Sequence, residues 1–303
     1  MRDKRDYFNK NREEKNFGRN SRNERKFKND NKVNRNEFRK KNKEIEKKKY
    51  PSEELENSKE YEDIVEGRNA VLELLNSERD INKIFIQKGE RHGSINKIIA
   101  IAKENRIVTV EVEKTKLDMM SSTNNHQGVI AVVPPFNYVE VEDILDYAKQ
   151  KKESPFILIL DGIEDPHNLG SIIRTAETAG VHGIIIPKRR TAQVNSTVSK
   201  VSAGAVEHMK IARVSNINDT IRKLKEEGLW IIGTDMEGKT KYYNQDFTGP
   251  IAIIIGSEGF GMSRLVKENA DILVNIPMKG KITSLNASVS AGIVIYEALK
   301  QRN

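Results

Sequence analysis

Short, almost uninterrupted apolar runs recur along the second half of the chain, at 156–160, 183–186, 229–232, 251–255 and 272–276. Segments with apolar residues at helical spacing separate them, at 169–179, 196–206, 216–227, 262–269 and 285–300. Strands that are apolar on both faces, alternating with helices, are typical of a parallel sheet covered by helices. The pattern therefore predicts an α/β domain whose ligands bind at the carboxyl ends of its strands.

The first half shows a smaller unit of shorter runs. Strands are predicted at 84–86, 107–112 and 129–133, and helices at 67–76 and 95–102. Pro134 and Pro135 end this unit, because proline cannot donate a hydrogen bond to a sheet. We therefore predict four segments, which are a tail at 1–60, a small α/β domain at 61–135, a linker with one short helix around Ile144 and Leu145 at 136–154, and a larger α/β domain at 155–303.

The charge is concentrated in the tail. The chain has 303 residues and a formal net charge of +8, yet residues 61–303 hold 31 basic and 31 acidic side chains. Residues 1–49 hold 20 Lys or Arg against 9 Asp or Glu and few aliphatic side chains, which predicts a disordered basic tail. Phenylalanines recur in it, each followed within two residues by Lys or Arg, at Phe8, Phe17, Phe27 and Phe38. Loose RNA contact and simple solubilisation are both open interpretations of this tail.

Several classes of protein are disfavoured by what the sequence lacks. It contains no cysteine, and its five histidines show no metal-ligand spacing, so we expect no disulfide and no metal site. No 18-residue apolar run, secretory signal or transit peptide is recognisable. We therefore expect a cytoplasmic protein without a membrane partner.

Three loops of the second domain carry candidate chemistry. The first follows the run 156–160 and includes Asn168 and Arg174. Asn168 is a predicted helix N-cap and Gly180 a predicted helix stop. The small residue Gly170 leaves room one turn before Arg174, where a phosphate or sugar could approach, although a surface arginine on an ordinary helix is the simpler interpretation.

The second loop, G-S-E-G-F-G at 256–261, lets backbone amides approach a ligand closely. Its spacing differs from the dinucleotide fingerprint and no Walker lysine follows, which disfavours a nicotinamide- or nucleotide-dependent enzyme. The third loop runs from Ile276 to Ser288 into a helix that begins with small residues, for which tight packing is the alternative explanation.

The N-x-G-x-x-x-R stretch at 168–174, the 256–261 loop and the I-P-M…S-L-N-A-S segment at 276–288 together resemble the three ordered motifs of SpoU (TrmH-type) SPOUT methyltransferases. The resemblance covers 155–303. Residues 66–70 and 126–129 resemble the ribosomal-protein-like RNA-binding domain of one branch, which includes the enzyme that makes 2′-O-methylguanosine in 23S ribosomal RNA.

The resemblance implies a parallel sheet with a C-terminal trefoil knot, a homodimer, bound S-adenosyl-L-methionine and an RNA substrate. By motif position, Gly256, Ile276 and Leu285 would bind the cofactor, and Thr234, at the end of the strand predicted at 229–233, would add to that pocket. Five would surround the methyl group and the target ribose as catalytic residues: Arg174, Asn168, Glu258, Asn286 and Ser288.

The family proposal makes the arginine that matches Arg174 the base. Because a guanidinium stays protonated in proteins, we expect Arg174 instead to hold a phosphate and stabilise the developing alkoxide. The proton would leave through a phosphate oxygen or Glu258.

The sequence leaves two alternative functions open. A transfer-RNA 2′-O-methyltransferase of the same family is expected to lack the 61–135 domain, which favours ribosomal RNA. A non-catalytic RNA-binding protein is disfavoured because the residues of all three motifs are intact.

Overall fold

The computed structural model describes residues 63–89 and 93–303. The predictions made for the tail at 1–60 lie outside these residues. The first described element is a small mixed sheet in the order β1-β4-β2-β3, in which β2 and β3 run parallel and the other neighbours antiparallel. Its strands are β1 (Ile64–Glu66), β2 (Lys83–Gln87), β3 (Thr109–Val112) and β4 (Val129–Val132).

Helices cover both faces of this small sheet. They are α1 (Arg68–Asn76), α2 (Ser94–Glu104) and α3 (Lys114–Met120). Leu74 of α1 and Ile98 of α2 are fully buried in one cluster, and Leu117 of α3 is buried in a second cluster with Phe85. The helices predicted at 67–76 and 95–102 are confirmed, whereas β1 and α3 were not predicted.

The second sheet has seven strands in the order β7-β6-β5-β10-β8-β11-β9, and every pairing in it is parallel. This confirms the predicted parallel α/β architecture. Its strands are β5 (Phe156–Asp161), β6 (Gly183–Pro187), β7 (Ile211–Val214), β8 (Trp230–Thr234), β9 (Thr240–Lys241), β10 (Ile251–Gly256) and β11 (Ile272–Asn275).

Helices also lie on both faces of the second sheet. They are α4 (Val141–Lys151), α5 (Pro166–Thr178), α6 (Ser196–Val201), α7 (Ile217–Glu226), α8 (Arg264–Asn269) and α9 (Ala287–Arg302). Alternate residues of β5 divide between the two cores, with Leu158 packed in the cluster of α5 and α9 and Ile159 in the cluster of α4 and α7. Apolar residues on both faces explain why these strands read as continuous runs.

Two predictions about local structure are wrong. The N-cap of α5 is Asp165, whose Oδ1 accepts the His167 N–H at 2.9 Å, so Asn168 lies inside the helix and is buried. Pro166 at the first helical position fixes this start. The helix predicted at 196–206 instead ends at Val201, because Ala203 and Gly204 have left-handed φ values of 54° and 90°, and a short 3-10 helix follows at Ala205–Glu207.

The surface beside Gly170 is also occupied. A Cβ at Gly170 would lie 2.8 Å from the Val201 side chain, so the missing side chain allows α5 and α6 to pack closely rather than admitting a phosphate. Gly180, with a φ of 73°, follows the end of α5 as predicted.

The segment between the two sheets belongs to the larger sheet. Val139 forms a parallel bridge with Ala212 of β7, and Ile144 of α4 packs so tightly on Gly183 that a Cβ there would lie 2.6 Å from it. The helix predicted around Ile144 and Leu145 is confirmed, and it docks on the sheet instead of spanning open space.

The small sheet is held against the larger one by polar contacts. Arg79 donates to Glu207 Oε1 at 3.1 Å and to the Pro134 carbonyl at 2.6 Å. Lys200 Nζ of α6 donates to the Asn125 carbonyl at 2.6 Å. Burial raises the pKa of Glu207, an effect that Arg79 opposes. Pairing with Arg79 therefore offsets part of the cost of the buried carboxyl group.

Among the described residues, no helix has the length and apolar character needed to cross a membrane.

Candidate active site

The middle strands of the larger sheet define the place where a ligand is expected. β5 and β10 are neighbours, with Asp161 opposite Gly256 at their carboxyl ends. From β5 the chain proceeds to β6 on one side, whereas β10 lies on the other side, next to β8. Ligands of open parallel sheets bind at such a switch point, outside the carboxyl ends of the strands.

A first cavity of about 410 Å³ lies at these strand ends. All four residues predicted to bind a cofactor line it: Gly256, Ile276, Leu285 and Thr234. The Thr234 hydroxyl donates to the Ile254 carbonyl at 3.0 Å, which attaches the end of β8 to β10. The volume lies in the range of cavities that bind small molecules.

Acidic side chains lie on the same cavity. Lys267 Nζ donates to Glu237 Oε2 at 2.5 Å and to Asp235 Oδ1 at 2.9 Å, and these bonds raise the pKa of Lys267. The ion pairs fix Asp235 and Glu237 beside the end of β8, where they can accept hydrogen bonds from a ligand.

A tight turn at 257–261 forms one wall of the first cavity. Ser257 and Gly261 exchange two backbone hydrogen bonds, of 3.0 and 2.9 Å. A Cβ at Gly256 would lie 2.2 Å from the Gly261 carbonyl carbon, closer than any real contact. The turn can therefore close only on a glycine at 256, which explains the glycine that begins the second motif.

Four of the five predicted catalytic residues form one hydrogen-bonded cluster around Glu258, which we call the Glu258 cluster: Asn168, Glu258, Asn286 and Ser288. Glu258 Oε1 accepts the Asn168 side-chain amide at 3.0 Å and also that of Asn286. Asn286 Nδ2 contacts Asn168 Oδ1 at 2.9 Å, and its Oδ1 accepts the Ser288 hydroxyl at 2.6 Å. One carboxylate thus joins all three motifs.

The cluster also forms the start of α9. Asn286 is the N-cap of this helix, and its Oδ1 accepts the backbone N–H groups of Ser288 at 3.0 Å and Val289 at 3.2 Å. Ala287 N donates to Glu258 Oε1 at 3.2 Å. The helix start therefore holds the Glu258 carboxylate at its positive end.

Arg174 is not part of this cluster. It lies on the exposed face of α5, well beyond Asn168 along the helix, and lines neither the first cavity nor its neighbour. Neighbouring residues of α5 contact α9. Thr178 Oγ1 lies 3.4 Å from the Tyr296 hydroxyl, and a Cβ at Gly292 would lie 3.8 Å from the Thr175 side chain.

A second cavity of about 730 Å³ lies on the other side of the turn at 257–261. Asn168, Glu258 and Ala287 line it, together with three residues that the sequence reasoning missed: Arg189, Arg190 and Phe260. The basic run 188–190 directly after the predicted strand 183–186 was a signal that could have identified the two arginines. Phe260 gave no signal beyond its place inside a glycine-rich loop.

In the part of the chain that the structure describes, no group of three His, Asp or Glu side chains is placed to hold a metal ion.

Two family models match the chain in succession. The model described as SpoU rRNA Methylase family matches residues 155–296, and the model described as RNA 2'-O ribose methyltransferase substrate binding matches residues 64–139. The first match includes the Glu258 cluster and the residues of both cavities. The second covers the small sheet.

Proteins similar to this chain over most of its length carry related names. YacO of Bacillus subtilis (strain 168), assigned to the TrmH family of tRNA/rRNA methyltransferases, is 48% identical over 241 residues, which are 80% of this chain and 96% of YacO. A protein of Staphylococcus saprophyticus assigned to the same family is 47% identical over 240 residues, 79% of this chain and 96% of that protein.

Two solved structures are similar to this chain in fold over most of its length. An AdoMet-bound rRNA methyltransferase from Sinorhizobium meliloti has a TM-score of 0.66 at 27% identity, covering 78% of this chain and 86% of that one. An RNA 2'-O ribose methyltransferase has a TM-score of 0.65 at 26% identity, covering 79% of this chain and 88% of that one.

Proposed function

This chain belongs to the SpoU family of RNA methyltransferases, and on that premise we propose that it methylates the ribose 2′-hydroxyl of a guanosine in 23S ribosomal RNA. The observation that carries the proposal is the Glu258 cluster, which joins Asn168 and Asn286 at the wall between two cavities. One cavity suits the methyl donor, and the other leaves room for the methyl acceptor.

The methyl donor of the family is S-adenosylmethionine, which supplies an electrophilic methyl group on a cationic sulfur. The first cavity fits it, because Ile276 and Leu285 offer apolar contacts for an adenine ring beside the backbone of the turn at 257–261. Asp235 and Glu237 supply carboxylates for polar and cationic parts of the molecule. Thr234, Gly256, Ile276 and Leu285 would hold the cofactor.

Methyl transfer requires a 2′-hydroxyl aligned with the methyl group and an acceptor for its proton. Asn168 and Asn286 hold Glu258 through Oε1, and among the described residues Glu258 Oε2 makes no hydrogen bond. We assign Oε2 the task of orienting the hydroxyl, with the proton passing to Glu258 or to a phosphate oxygen. Ser288 keeps Asn286 in place through its hydroxyl.

Arg174 requires a second subunit in this proposal. Its helix α5 packs beside α9, whose Val289 and Tyr296 are each 50% exposed although they are large and apolar. We propose that this face forms a homodimer in which Arg174 reaches the partner's site, holds a phosphate and stabilises the developing alkoxide. The proposal also includes the trefoil knot implied by the family, formed where the segment 276–288 follows β11.

Ribosomal RNA is favoured over transfer RNA by the small sheet, which matches a substrate-binding family model. A large folded RNA offers this second domain a surface away from the target ribose, whereas a relative without the domain relies on the catalytic domain alone. We expect the protein to act on ribosomal RNA in the cytoplasm.

The test is to supply the full chain and isotope-labelled S-adenosylmethionine with ribosomal RNA or transfer RNA from cells that lack the protein. Nucleoside analysis should show label in 2′-O-methylguanosine from 23S ribosomal RNA. Label only in transfer RNA would overturn the substrate, label in a base would overturn the 2′-hydroxyl, and absence of label would overturn the proposed reaction.

A further inference from the structure

Phe260 is the most exposed large apolar side chain among those described, at 97% of its possible surface. Exposure alone carries no argument, because single apolar side chains are common on protein surfaces. The backbone that carries Phe260 is, however, tightly constrained. The ring projects from the turn at 257–261, which two backbone hydrogen bonds close and the contact at Gly256 fixes.

The position of the ring relates it to the reaction. Phe260 lines both cavities, as does Glu258 two residues earlier. A planar group that stacks on the second-cavity side of the ring would therefore have its attached atoms next to the Glu258 cluster.

The second cavity has a basic side. Arg189 and Arg190 line it at the end of β6, and both are exposed. Neither guanidinium has a hydrogen bond or ion pair within the part of the chain that the structure describes. Arg190 also has a φ of 56°, a left-handed conformation that few residues other than glycine adopt. Such backbone conformations occur preferentially at functional sites.

Four carboxylates also line this cavity, those of Asp161, Glu164, Asp165 and Glu258. Asp161 Oδ2 accepts the Ser263 N–H at 2.6 Å, and Asp165 Oδ1 accepts the N–H of His167. Glu164 is exposed to solvent on the same cavity. A phosphate in this cavity would therefore bind to Arg189 and Arg190 and not beside the carboxylates of the loop after β5.

We propose that the second cavity holds one RNA nucleotide unstacked from its neighbours, with its base on the Phe260 ring and an adjoining phosphate on Arg189 and Arg190. The inference rests on the proposed function and names how its substrate binds. Recognition of RNA commonly uses unpaired bases stacked on aromatic side chains and phosphates held by arginine. A volume of about 730 Å³ accommodates a nucleotide.

This arrangement places the ribose between base and phosphate, which is the part of the nucleotide that must reach Glu258. Stacking tolerates any base, so Phe260 would supply affinity and position while leaving base selection to other groups. One bound nucleotide thus explains the exposed aromatic ring, the two arginines and the wall that both cavities share.

The experiment compares Phe260→Ala, Phe260→Trp and the double variant Arg189→Ala/Arg190→Ala with two controls. Trp230→Ala removes an aromatic ring that is 57% exposed at the opposite, amino end of β8, and Arg222→Ala removes an exposed arginine on α7. Each full-length variant is measured for S-adenosylhomocysteine binding by calorimetry, for ribosomal RNA binding across salt concentrations, and for the KM of methyl transfer to that RNA.

We expect Phe260→Ala to raise the KM for RNA by about tenfold, the effect typical of removing one stacked base, with Phe260→Trp near the unsubstituted protein. The arginine double variant should reduce the slope of log affinity against log salt by about 0.7 for each phosphate that it no longer binds. S-adenosylhomocysteine affinity should be unchanged in the arginine double variant and should fall less than RNA affinity in Phe260→Ala, whose ring also lines the first cavity. Both controls should match the unsubstituted protein.

The inference is overturned if Phe260→Ala behaves like Trp230→Ala, or if it weakens S-adenosylhomocysteine binding as much as RNA binding, which would assign the ring to the cofactor cavity. An arginine variant with the salt slope of Arg222→Ala would overturn the phosphate contact. If the unsubstituted protein methylates no RNA, the proposed function fails, while the RNA-binding comparison still decides whether Phe260 contacts the nucleic acid.

Discussion

Glu258 shows how much can depend on one residue. Its Oε1 accepts hydrogen bonds from two asparagine side chains and the backbone of Ala287. Asn168 lies far from Asn286 and Ala287 in sequence, so the carboxylate joins separate parts of the chain. Under the proposed function it also takes part in proton transfer. The two roles are separable by a substitution that keeps the shape and removes the charge.

Glu258→Gln provides that separation. The amide oxygen of glutamine can still accept from Asn168 and Asn286, but the group can no longer take a proton from the 2′-hydroxyl. We expect kcat to fall by about 10²-fold or more with S-adenosylhomocysteine affinity unchanged, because general-base catalysis contributes about that factor. Single-turnover methyl transfer and calorimetry measure the two effects.

Glu226→Gln, at an exposed position near the end of α7, is the matched control and should keep full activity. A wild-type kcat in Glu258→Gln would show that the proton leaves by another route, and a phosphate oxygen would then be the acceptor.

His182 links pH to folding stability. The side chain is 2% exposed, its Nδ1 accepts the Phe156 N–H at 3.0 Å, and its Nε2 lies 3.1 Å from Glu153. Burial lowers the pKa of His182 below its ordinary value of 6.5, against the opposing effect of Glu153. The folded protein therefore keeps the ring neutral at a pH where the unfolded chain is already protonated.

Since the unfolded state binds the proton first, stability is present above pH 6.5 and decreases as the pH falls below it. The slope from this group is at most about 1.4 kcal/mol per pH unit. We expect His182→Asn, whose amide oxygen can accept the Phe156 N–H, to flatten this dependence in urea unfolding between pH 7.5 and pH 5 at roughly half-unit steps. An unchanged slope, equal to that of the exposed-site control His167→Asn, would contradict the assignment.

At the scale of elements, the turn at 257–261 is the most constrained connection of the site. It closes the first cavity on one side and bounds the second on the other. Its glycines are not equivalent, because a Cβ at Gly256 would lie 2.2 Å from backbone whereas one at Gly259 would meet nothing within 4 Å. Only the first glycine is required by packing.

Gly256→Ala is therefore expected to open the turn, lower stability by about 1–3 kcal/mol and abolish S-adenosylhomocysteine binding. Gly259→Ala is the matched control and should retain both. Thermal unfolding with and without S-adenosylhomocysteine measures the two quantities. Cofactor binding by Gly256→Ala at the unsubstituted affinity would show that the turn tolerates a side chain.

Sequence patterns predicted the strands that are buried on both faces and the edge strand β3, but missed the edge strands β1, β7 and β9. β5 and β10 are continuous apolar runs in the middle of the sheet, so their pattern is unambiguous. β7, with the sequence I-A-R-V, is a four-residue edge strand whose exposed Arg213 breaks the run. Periodicity cannot distinguish such a strand from a loop.

The candidate site was also predicted only in part from the sequence. The resemblance and the order of the strands placed Gly256 and Thr234 at one cavity, and the structure does so because the neighbouring strands β10 and β8 end together. The location of Arg174 depends on how α5 packs against α6 and α9, which no local pattern encodes. Gly170 shows this directly, since its lack of a side chain accommodates Val201 and not a ligand.

At the scale of the molecule, the proposed homodimer builds each site from two chains. Arg174 lies more than one helical turn after Asn168 on α5, and it lines neither cavity. If a homodimer brings it to the partner's site, inactive variants of the two groups should complement each other.

We expect Arg174→Ala and Glu258→Ala each to be inactive, and an equal mixture, after subunit exchange, to regain about a quarter of full activity. Half of the dimers would then contain one of each chain, with one intact site of two. The activity of the mixture is the measurement, and co-purification of the two variants through an affinity tag carried by only one of them shows independently that heterodimers have formed. No regained activity despite proven exchange would place Arg174 in its own chain's reaction or outside it.

The contacts of Arg79 and Lys200 fix the position of the small sheet relative to the domain that carries the Glu258 cluster. Under the proposed function, an RNA must therefore contact the small sheet and the active site at this fixed separation. An RNA hairpin with the correct nucleotide but one base pair too many would carry its ribose past the methyl group, so the geometry of the folded RNA would decide which guanosine is modified.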